Sequence, residues 1–348
     1  SGNVSSALAA PWGNYGHIRN TGVEISLNTH PLIGAFQWDS DFQISVNRNK
    51  LVALSGTSAA QIVGYGQWSD VVTVTNVGES LYNFYGYVTD GVYKDLEDLQ
   101  TSPKPANSYP SNGVFNKNNT VWVGDIKYKD LNGDGIIDEN DRTNLGSPLP
   151  KFTFGWTNTF RYKNFDLSLF INGSVGNKVY NYLSMTLTHM NSTWTNQLTS
   201  VNNRAQLAPI DASKDYSNGV NVNGTTVWHW YDDVTNVYVT NPNTSTPRAT
   251  INDPNDNDRV SDRYIEDGSY VRLKNITLGY TFPKRLISKW GIENLRLYAN
   301  LQNLVTITGY SGYDPEIGVS TSSANVMGLD NGRYPSPTVY SFGLNVTF

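Results

Sequence analysis

Residues 36–47, FQWDSDFQISVN, alternate between apolar and polar side chains. In a β-strand, successive side chains point to opposite faces of the sheet, so every second residue shares a face. One face of this segment is therefore apolar and the other is polar. The apolar face carries Phe36, Trp38, Phe42, Ile44 and Val46, and the polar face carries Gln37, Asp39, Asp41, Gln43 and Ser45.

The same alternation recurs in six further segments. A strand that crosses a bilayer at a tilt needs roughly 9–11 residues, and most of these segments approach that length. The sequence therefore predicts an all-β fold in which about seven or eight strands form an antiparallel segment of a transmembrane β-barrel. The six segments are residues 23–29, 152–162, 164–172, 276–282, 295–302 and 340–348.

A soluble β-sandwich is the alternative interpretation, because its strands also alternate. Two features favour the barrel. Sandwich strands are usually about 5–6 residues long, and the segments here are longer. Their polar faces also stay polar throughout, as a water-filled lumen requires. Aromatic residues near the segment ends fit the girdles at membrane interfaces, and they are Trp38, Trp156, Tyr162, Tyr280 and Phe282.

The connections between the segments alternate between short and very long. Outer-membrane barrels have tight periplasmic turns and large extracellular loops, whereas a sandwich has no reason to sort its loops by length. We therefore expect residues 48–150 and 174–268 to be extracellular loops. A third long connection covers residues 304–337, and the short ones cover 30–35, 162–164 and 283–293.

The composition sets limits on function. The chain has 348 residues, a net charge of −5 and no basic run, so nucleic acid is not an expected partner. Cysteine is absent, which excludes disulfides and thiolate metal sites. The sequence contains no run of about 18 apolar residues, so no transmembrane helix is predicted. The first residues lack the basic start and apolar run of a signal peptide, so we expect a mature, cytoplasmic or partial chain.

An acidic segment at residues 130–142, DLNGDGIIDENDR, matches the pattern of a calcium-binding loop. In such loops, oxygen ligands at alternate positions converge on one hard cation, and a glycine permits the sharp turn. We predict that residues 130–141 bind Ca²⁺; the short Asp at the last position weakens binding or makes the site tolerant of Mg²⁺. The predicted ligands are Asp130, Asn132, Asp134, Asp138 and Asp141, with the main-chain carbonyl of Ile136.

An Asx-rich turn without an ion is the alternative for this segment. Carboxylates crowded within a few ångströms repel one another unless a cation neutralises them, which favours the metal. We expect the ion to have a structural role, because it would order a long loop that otherwise has little to order it.

Several blocks of the sequence resemble the SusC/RagA family of TonB-dependent outer-membrane transporters. The blocks occur in the family's order and cover most of residues 120–348. They are YKDLNGDGIIDENDR (128–142), LGSPLPKFTFGWTNTFRYKNFDLSLFINGSVGNKVYN (145–181), SYVRLKNITLGYTFPK (269–284), LRLYANLQNLVTITGYSGYDPEIG (295–318) and YPSPTVYSFGLNVTF (334–348), and NTGVEISLN (20–28) extends the match upstream.

The resemblance implies a barrel of about 22 strands with a plug domain in its lumen. It also implies import of oligosaccharides or peptides, driven by the TonB–ExbB–ExbD complex, with a SusD-like surface lipoprotein as a lid. The plug is absent from this chain. We therefore expect residues 1–348 to be the C-terminal portion of the barrel in the outer membrane of a Gram-negative bacterium of the Bacteroidetes. Phe348, an aromatic that ends the last strand, is the expected assembly signal.

An open sheet edge cannot face lipid, because its unpaired N–H and C=O groups would lack hydrogen-bond partners. Seven strands are too few for a closed bacterial barrel. We therefore expect both outer strands to pair with another polypeptide, the remainder of the same transporter, while lipid covers the apolar face.

Catalysis is not predicted. The acidic pairs Asp314/Glu316, Asp232/Asp233 and Glu266/Asp267 are interpreted as solvated loop acids, and the four histidines lack metal-binding spacing. The sequence contains no P-loop, G-x-S-x-G or Rossmann fingerprint.

A cluster of exposed-type aromatics supplies candidate substrate contacts, since flat apolar rings stack on sugars. The candidates are Trp194, Trp228, Trp230, Tyr231 and Tyr313. The Trp194 and 228–231 rings could equally pack a loop against its neighbour or against a lid. The alternative function is that of a soluble, secreted, calcium-stabilised carbohydrate-binding β-protein.

Overall fold

The computed structural model describes residues 16–54, 61–66, 70–110, 113–190, 196–319 and 324–348. The strands in chain order are β1 (Gly16–Ile33), β2 (Phe36–Leu54), β3 (Gln61–Tyr65), β4 (Val71–Asn76), β5 (Asn83–Gly86), β6 (Thr89–Val92), β7 (Ile126–Tyr128), β8 (Thr143–Gly146), β9 (Phe152–Tyr162), β10 (Phe165–Val175), β11 (Lys178–Tyr180), β12 (Leu207–Pro209), β13 (Val220–Val222), β14 (Thr225–Val227), β15 (Val237–Val239), β16 (Ile265–Asp267), β17 (Tyr270–Thr281), β18 (Asn294–Thr308) and β19 (Val339–Thr347).

The helices are few and short. None in the described part of the chain is long and apolar enough to cross a membrane. They are α1 (Leu96–Thr101), α2 (Tyr182–Thr188) and α3 (Lys284–Ile287), with 3₁₀ turns at Ala106–Ser108, Glu139–Asp141, Thr199–Asn203, Trp230–Asp232, Val234–Asn236, Asp262–Tyr264 and Ser288–Trp290.

The dominant element is a seven-stranded antiparallel sheet with the order β1-β2-β9-β10-β17-β18-β19. Each of the seven predicted segments forms one of its strands, so the prediction of the strands is confirmed. The first two strands are longer than predicted, with 18 residues in β1 and 19 in β2. Because β2 continues to Leu54 and β10 to Val175, the predicted loop boundaries at residues 48 and 174 are wrong by a few residues.

The register places most of the apolar residues of the seven strands on one face. One apolar row of paired residues crosses the whole sheet. It consists of Leu32, Trp38, Phe160, Leu167, Leu278, Ala299 and Phe342. A second apolar row lies beside it and consists of Phe36, Tyr162, Phe165, Tyr280, Leu297 and Leu344. A neighbouring row on the opposite face is polar and consists of Asp39, Thr159, Ser168, Thr277, Asn300 and Ser341.

Thr29, Ser40 and Asn158 form a polar row on the apolar face, and tryptophan indoles donate hydrogen bonds to Ser40 and Asn158. The Trp38 Nε1–H donates to Asn158 Oδ1 at 2.9 Å, and the Trp156 Nε1–H donates to Ser40 Oγ at 2.9 Å. Trp156 lies in the middle of β9, so the prediction that it lies at a strand end is wrong.

The apolar face is exposed, and so are both sheet edges. Phe342 is 84% exposed and Val23 is 61% exposed, although both belong to regular strands. Within the described residues, β1 pairs only with β2, and β19 pairs only with β18. The sheet formed by the described residues is therefore open, and no other described element covers its broad apolar surface.

The long connections fold into a body of their own. A core of buried residues draws Tyr93, Trp122 and Tyr128 from the first connection and Val237 and Val239 from the second. A second cluster joins Phe84, Tyr180 and Tyr264. We expected the first connection to have little to order it, and this expectation is wrong, because apolar side chains of two distant segments share one core.

Candidate functional site

The acidic loop of residues 130–141 is closed by hydrogen bonds from its own backbone. Asp130 accepts from the N–H groups of Gly133 and Gly135 at 2.6 and 2.7 Å. Asp134 accepts from the N–H of Ile136 at 2.8 Å, and Asn132 Oδ1 accepts from the N–H of Asp134 at 3.0 Å. The Gly135 N–H is the main reason that the pKa of Asp130 lies below its ordinary value.

The second half of the loop is organised in the same way. Asp138 caps a 3₁₀ turn by accepting from the N–H of Asn140 at 2.8 Å. Asp141, fully buried, accepts from the N–H groups of Leu131 and Asp138, both at 2.8 Å. Backbone donors therefore compensate the crowded carboxylates that the sequence presents. Among the residues that the structure describes, no group of three or more acidic or histidine side chains is arranged to hold a metal.

Neighbouring residues also fix this loop. The hydroxyl of Tyr109 donates to the carbonyl of Gly135 at 2.6 Å, and the N–H of Ile137 donates to the carbonyl of Lys104 at 3.1 Å. Lys104 itself is buried, and its ammonium lies 4.3 Å from the centre of the Tyr109 ring. Calcium or magnesium binding stays a prediction. An ion would add to a loop conformation that hydrogen bonds already fix.

One of the predicted aromatic residues, Trp228, borders a groove of about 360 Å³ in the loop body. Trp228 is 57% exposed and lines the groove, where Asn116, Asn118 and His229 supply polar groups. A flat ring beside amide side chains suits a ligand with both apolar faces and hydrogen-bonding groups. Trp194 lies outside the described residues.

The other two aromatic candidates near the groove have different environments. Trp230 packs against the core of the loop body, which supports the alternative that it has a structural role. Tyr231 stacks on His229 with ring centres 4.8 Å apart, and the Lys117 ammonium lies 4.4 Å from the Tyr231 ring centre. Tyr313 does not line this groove; it lies on the connection between β18 and β19 and is 66% exposed.

The acidic pairs do not form catalytic dyads. Asp314 is 2% exposed and forms an ion pair with Arg272, and Asp233 is fully buried beside Lys214. Glu266 accepts hydrogen bonds from Ser311. The interpretation of these residues as solvated loop acids is therefore wrong for Asp314 and Asp233, whose partners are 42 and 19 residues away in sequence.

A mixed-charge pocket of about 560 Å³ could not be predicted from the sequence. It lies between the acidic loop and residues 256–260, and Tyr87, Arg142 and Arg259 line it together with Glu139. The two guanidinium groups lie 5.9 and 5.3 Å from the centre of the Tyr87 ring. Five separate segments of the chain form this pocket, so no local motif marks it.

The architecture by itself indicates a class of protein. A long antiparallel sheet with one exposed apolar face, one polar face and large folded connections is typical of the wall of an outer-membrane β-barrel. No protein-family model matches the chain.

Sequence comparison identifies relatives along nearly the whole chain. It is 32% identical to TonB-dependent receptor P3 of Formosa agariphila over 351 residues, which is 99% of this chain and 30% of that receptor. It is 26% identical to TonB-dependent receptor SusC of Bacteroides thetaiotaomicron over 96% of this chain and 27% of SusC. These matches confirm the resemblance to the SusC/RagA family of TonB-dependent receptors. The relatives are named as receptors and not as enzymes.

Comparison of structures agrees at the level of the fold. The structure of the RagAB peptide transporter matches 96% of this chain and 29% of that chain, with a TM-score of 0.65 and 17% sequence identity. RagAB in its closed-closed state matches with a TM-score of 0.60 and 18% identity. The predicted fold class is therefore confirmed. The chain spans about 30% of the length of the curated receptors P3 and P26 that it matches.

Proposed function

We propose that this chain forms part of the barrel wall and the extracellular loops of a SusC-like, TonB-dependent transporter in the outer membrane of a Bacteroidetes bacterium. The observation that carries the proposal is the seven-stranded sheet, whose two faces differ in polarity over most of its width. Lipid would cover the exposed apolar face, and the polar face would line the lumen. We further propose that the chain is the C-terminal portion of the barrel and that the plug belongs to the remainder of the transporter.

The open edges of the sheet support a larger barrel. In hydrocarbon, each unpaired backbone group on an edge costs several kcal/mol, so lipid cannot cover β1 and β19 on their free sides. Strands from the remainder of the same transporter would pair with both edges. Phe348, which is 82% exposed and follows β19, is proposed as an assembly signal. Replacing it with Ala is expected to lower the amount of assembled protein without affecting the loop body.

Import of oligosaccharides or peptides is the proposed activity, with energy supplied through TonB–ExbB–ExbD and a SusD-like lipoprotein covering the extracellular side. The groove beside Trp228 is a candidate contact for the substrate, because it combines an exposed ring with amide side chains. The acidic loop at residues 130–141 is proposed to bind Ca²⁺, or Mg²⁺, as a structural ion.

The exposed apolar face disfavours the alternative of a secreted carbohydrate-binding protein. Proteins that are monomeric in water rarely expose apolar patches larger than a few hundred Å². Here the exposed apolar residues extend across the sheet from Val23 and Ile25 in β1 to Phe342 and Leu344 in β19.

Uptake measurements on the complete transporter test the proposal. Cells that express it should accumulate a labelled oligosaccharide or peptide, and loss of TonB or collapse of the proton-motive force should abolish this accumulation. Accumulation that persists without TonB would overturn the proposed energy coupling. Purification of the complete protein from the aqueous fraction without detergent would overturn the membrane assignment.

A further inference from the structure

Arg272 is a buried arginine on the polar face of the sheet. It pairs in register with Asn172 of β10 and Thr306 of β18, and its side chain is 2% exposed. A register shift between Leu273 and Asn275 leaves Lys274, two residues after Arg272, as an extra residue in the strand. Such bulges redirect side chains and are common beside functional sites. Arg272 and Lys274 therefore reach the same acidic segment.

That segment, residues 310–317, is here called the strap. Arg272 Nη2 donates to Asp314 Oδ1 at 2.6 Å, and Arg272 Nη1 donates to Glu316 Oε2 at 2.9 Å. The ammonium of Lys274 lies 3.6 Å from the same Glu316 oxygen. Arg272 Nε also donates to Thr306 Oγ1 at 2.9 Å, so the guanidinium is held from two sides.

Asp314 is held as firmly as Arg272. It accepts from the N–H groups of Glu316 and Ser336, both at 3.0 Å, in addition to the guanidinium. Burial alone would raise the pKa of Asp314, but these hydrogen bonds outweigh it and lower the pKa to about 2. Asp314 is therefore held in its charged form near neutral pH.

The other end of the strap is fixed to the loop body. Ser311 donates from its N–H and its hydroxyl to the carboxylate of Glu266 at 2.8 and 2.7 Å. Tyr313 lies between this anchor and Asp314, and it is 66% exposed while both anchors are tied down. The strap thus joins the loop body to the polar side of the wall and carries an exposed ring between its anchors.

A buried ion pair contributes little net stability compared with apolar residues of the same volume, so its value lies in fixing one arrangement. From this geometry we infer that Arg272 is a positioning residue that fixes the strap on the polar face, so that Tyr313 limits the size of solutes passing along the lumen. This inference rests on the proposed function, because it takes the polar face to be the lumen. Tyr313 is then a specificity-determining residue.

The test uses the complete transporter with Tyr313→Cys as a reporter for a membrane-impermeant maleimide. Arg272→Met should change the labelling rate of the reporter severalfold, because it leaves Asp314 without its buried cation and releases the strap that positions residue 313. Arg272→Lys, which keeps the charge but loses the two-point contact, should give an intermediate rate. Arg296→Met is the matched control, because it removes a similar pair with Asp166 on the same face without touching the strap.

Uptake by variants that retain Tyr313 gives the second measurement. Arg272→Met and Tyr313→Ala should both lower the KM of large solutes severalfold relative to small ones while the maximal rate for small solutes stays unchanged.

Equal labelling rates and equal KM ratios in wild type and Arg272→Met, at equal amounts of assembled protein, would overturn the inference. If Arg272→Met does not assemble, Arg272→Met with Asp314→Leu removes both charges and must give the same two results. A wild type that imports nothing would overturn the proposed function, whereas the labelling rates would still decide the position of the strap.

Discussion

Asp125 and Arg248 are 123 residues apart and form a buried, two-point ion pair in the loop body. The Arg248 Nε–H donates to Asp125 Oδ1 at 2.7 Å, and Nη2 donates to Oδ2 at 3.3 Å. Asp125 is fully buried and Arg248 is 6% exposed. Asn257 adds a hydrogen bond to Asp125 Oδ1 at 3.2 Å. This pair joins the first long connection to the second.

Replacing Arg248 with Met is expected to destabilise the loop body by about 3–5 kcal/mol, because Asp125 is left buried without its cation. Adding Asp125→Leu should recover most of this loss. Lys178→Met is the control, since Lys178 and Asp267 are both exposed and 3.9 Å apart, and an exposed pair contributes at most about 1 kcal/mol. Thermal unfolding followed by tryptophan fluorescence measures all three. A loss no larger than that of Lys178→Met would contradict the structural role of the pair.

A pH dependence should arise from Asp253, in the same interface. Burial raises the pKa of Asp253 to about 6, and the charges of Asp125 and Asp256 also raise it, against a hydrogen bond from the N–H of Asn257. The ordinary value is near 3.9. Because the folded pKa is the higher one, the stabilising contribution is complete below about pH 4 and disappears as the pH rises through about 6.

The unfolding temperature of the wild type should therefore decrease from pH 4 to pH 7 relative to that of Asp253→Asn, which cannot titrate there. The difference between the two profiles isolates Asp253 from other acids. Parallel profiles across this interval would show that the fold does not raise the pKa of Asp253.

Ion binding by residues 130–141 predicts protection of this loop. Ca²⁺ should slow its cleavage by an endoprotease severalfold, and chelation should reverse the effect. Asp130→Asn with Asp134→Asn should abolish protection, because two carboxylate ligands are lost. Asp211→Asn, in an exposed turn elsewhere, is the control. Equal cleavage rates with Ca²⁺, with Mg²⁺ and with chelator would contradict ion binding. They would favour the alternative, an Asx-rich turn held by backbone donors.

The groove predicts different outcomes for two neighbouring tryptophans. Trp228→Ala should raise the KM for uptake roughly tenfold, which corresponds to about 1.4 kcal/mol of lost binding, without affecting thermal stability. Trp230→Ala should lower stability instead, because its ring packs against the core. Tyr238→Ala, an exposed aromatic that does not line the groove, serves as the control. An unchanged KM for Trp228→Ala would contradict the proposal that the groove contacts the substrate.

The sequence predicts the sheet well where its two faces meet different environments. Alternation marks residues 36–47, but the continuation of β2 through Asn47, Arg48, Asn49 and Lys50 is polar on both faces. A strand with water on both sides has no reason to alternate, so its outer end looks like a loop. Strand existence was therefore predictable, whereas strand length was not.

The interior of the loop body could not be predicted for a different reason. Its core residues come from short strands and turns without periodicity, and partners such as Arg248 and Asp125 are far apart in sequence. A buried carboxylate cannot be distinguished from a solvated one until its partner is known. The groove shows the same limit, since Trp228 and Trp230 have similar local sequence but opposite roles in packing.

The alternation of environment along β19 tests the central claim most directly. In the complete transporter in lipid, nitroxide labels on Leu344→Cys and Asn345→Cys occupy adjacent residues that point to opposite faces. The label at residue 344 should collide mainly with oxygen dissolved in the lipid, and the label at residue 345 mainly with a water-soluble nickel chelate. Ile25→Cys and Ser26→Cys should repeat this contrast in β1. Equal accessibility of both labels to the two probes would contradict a barrel wall with one face in lipid and the other in water.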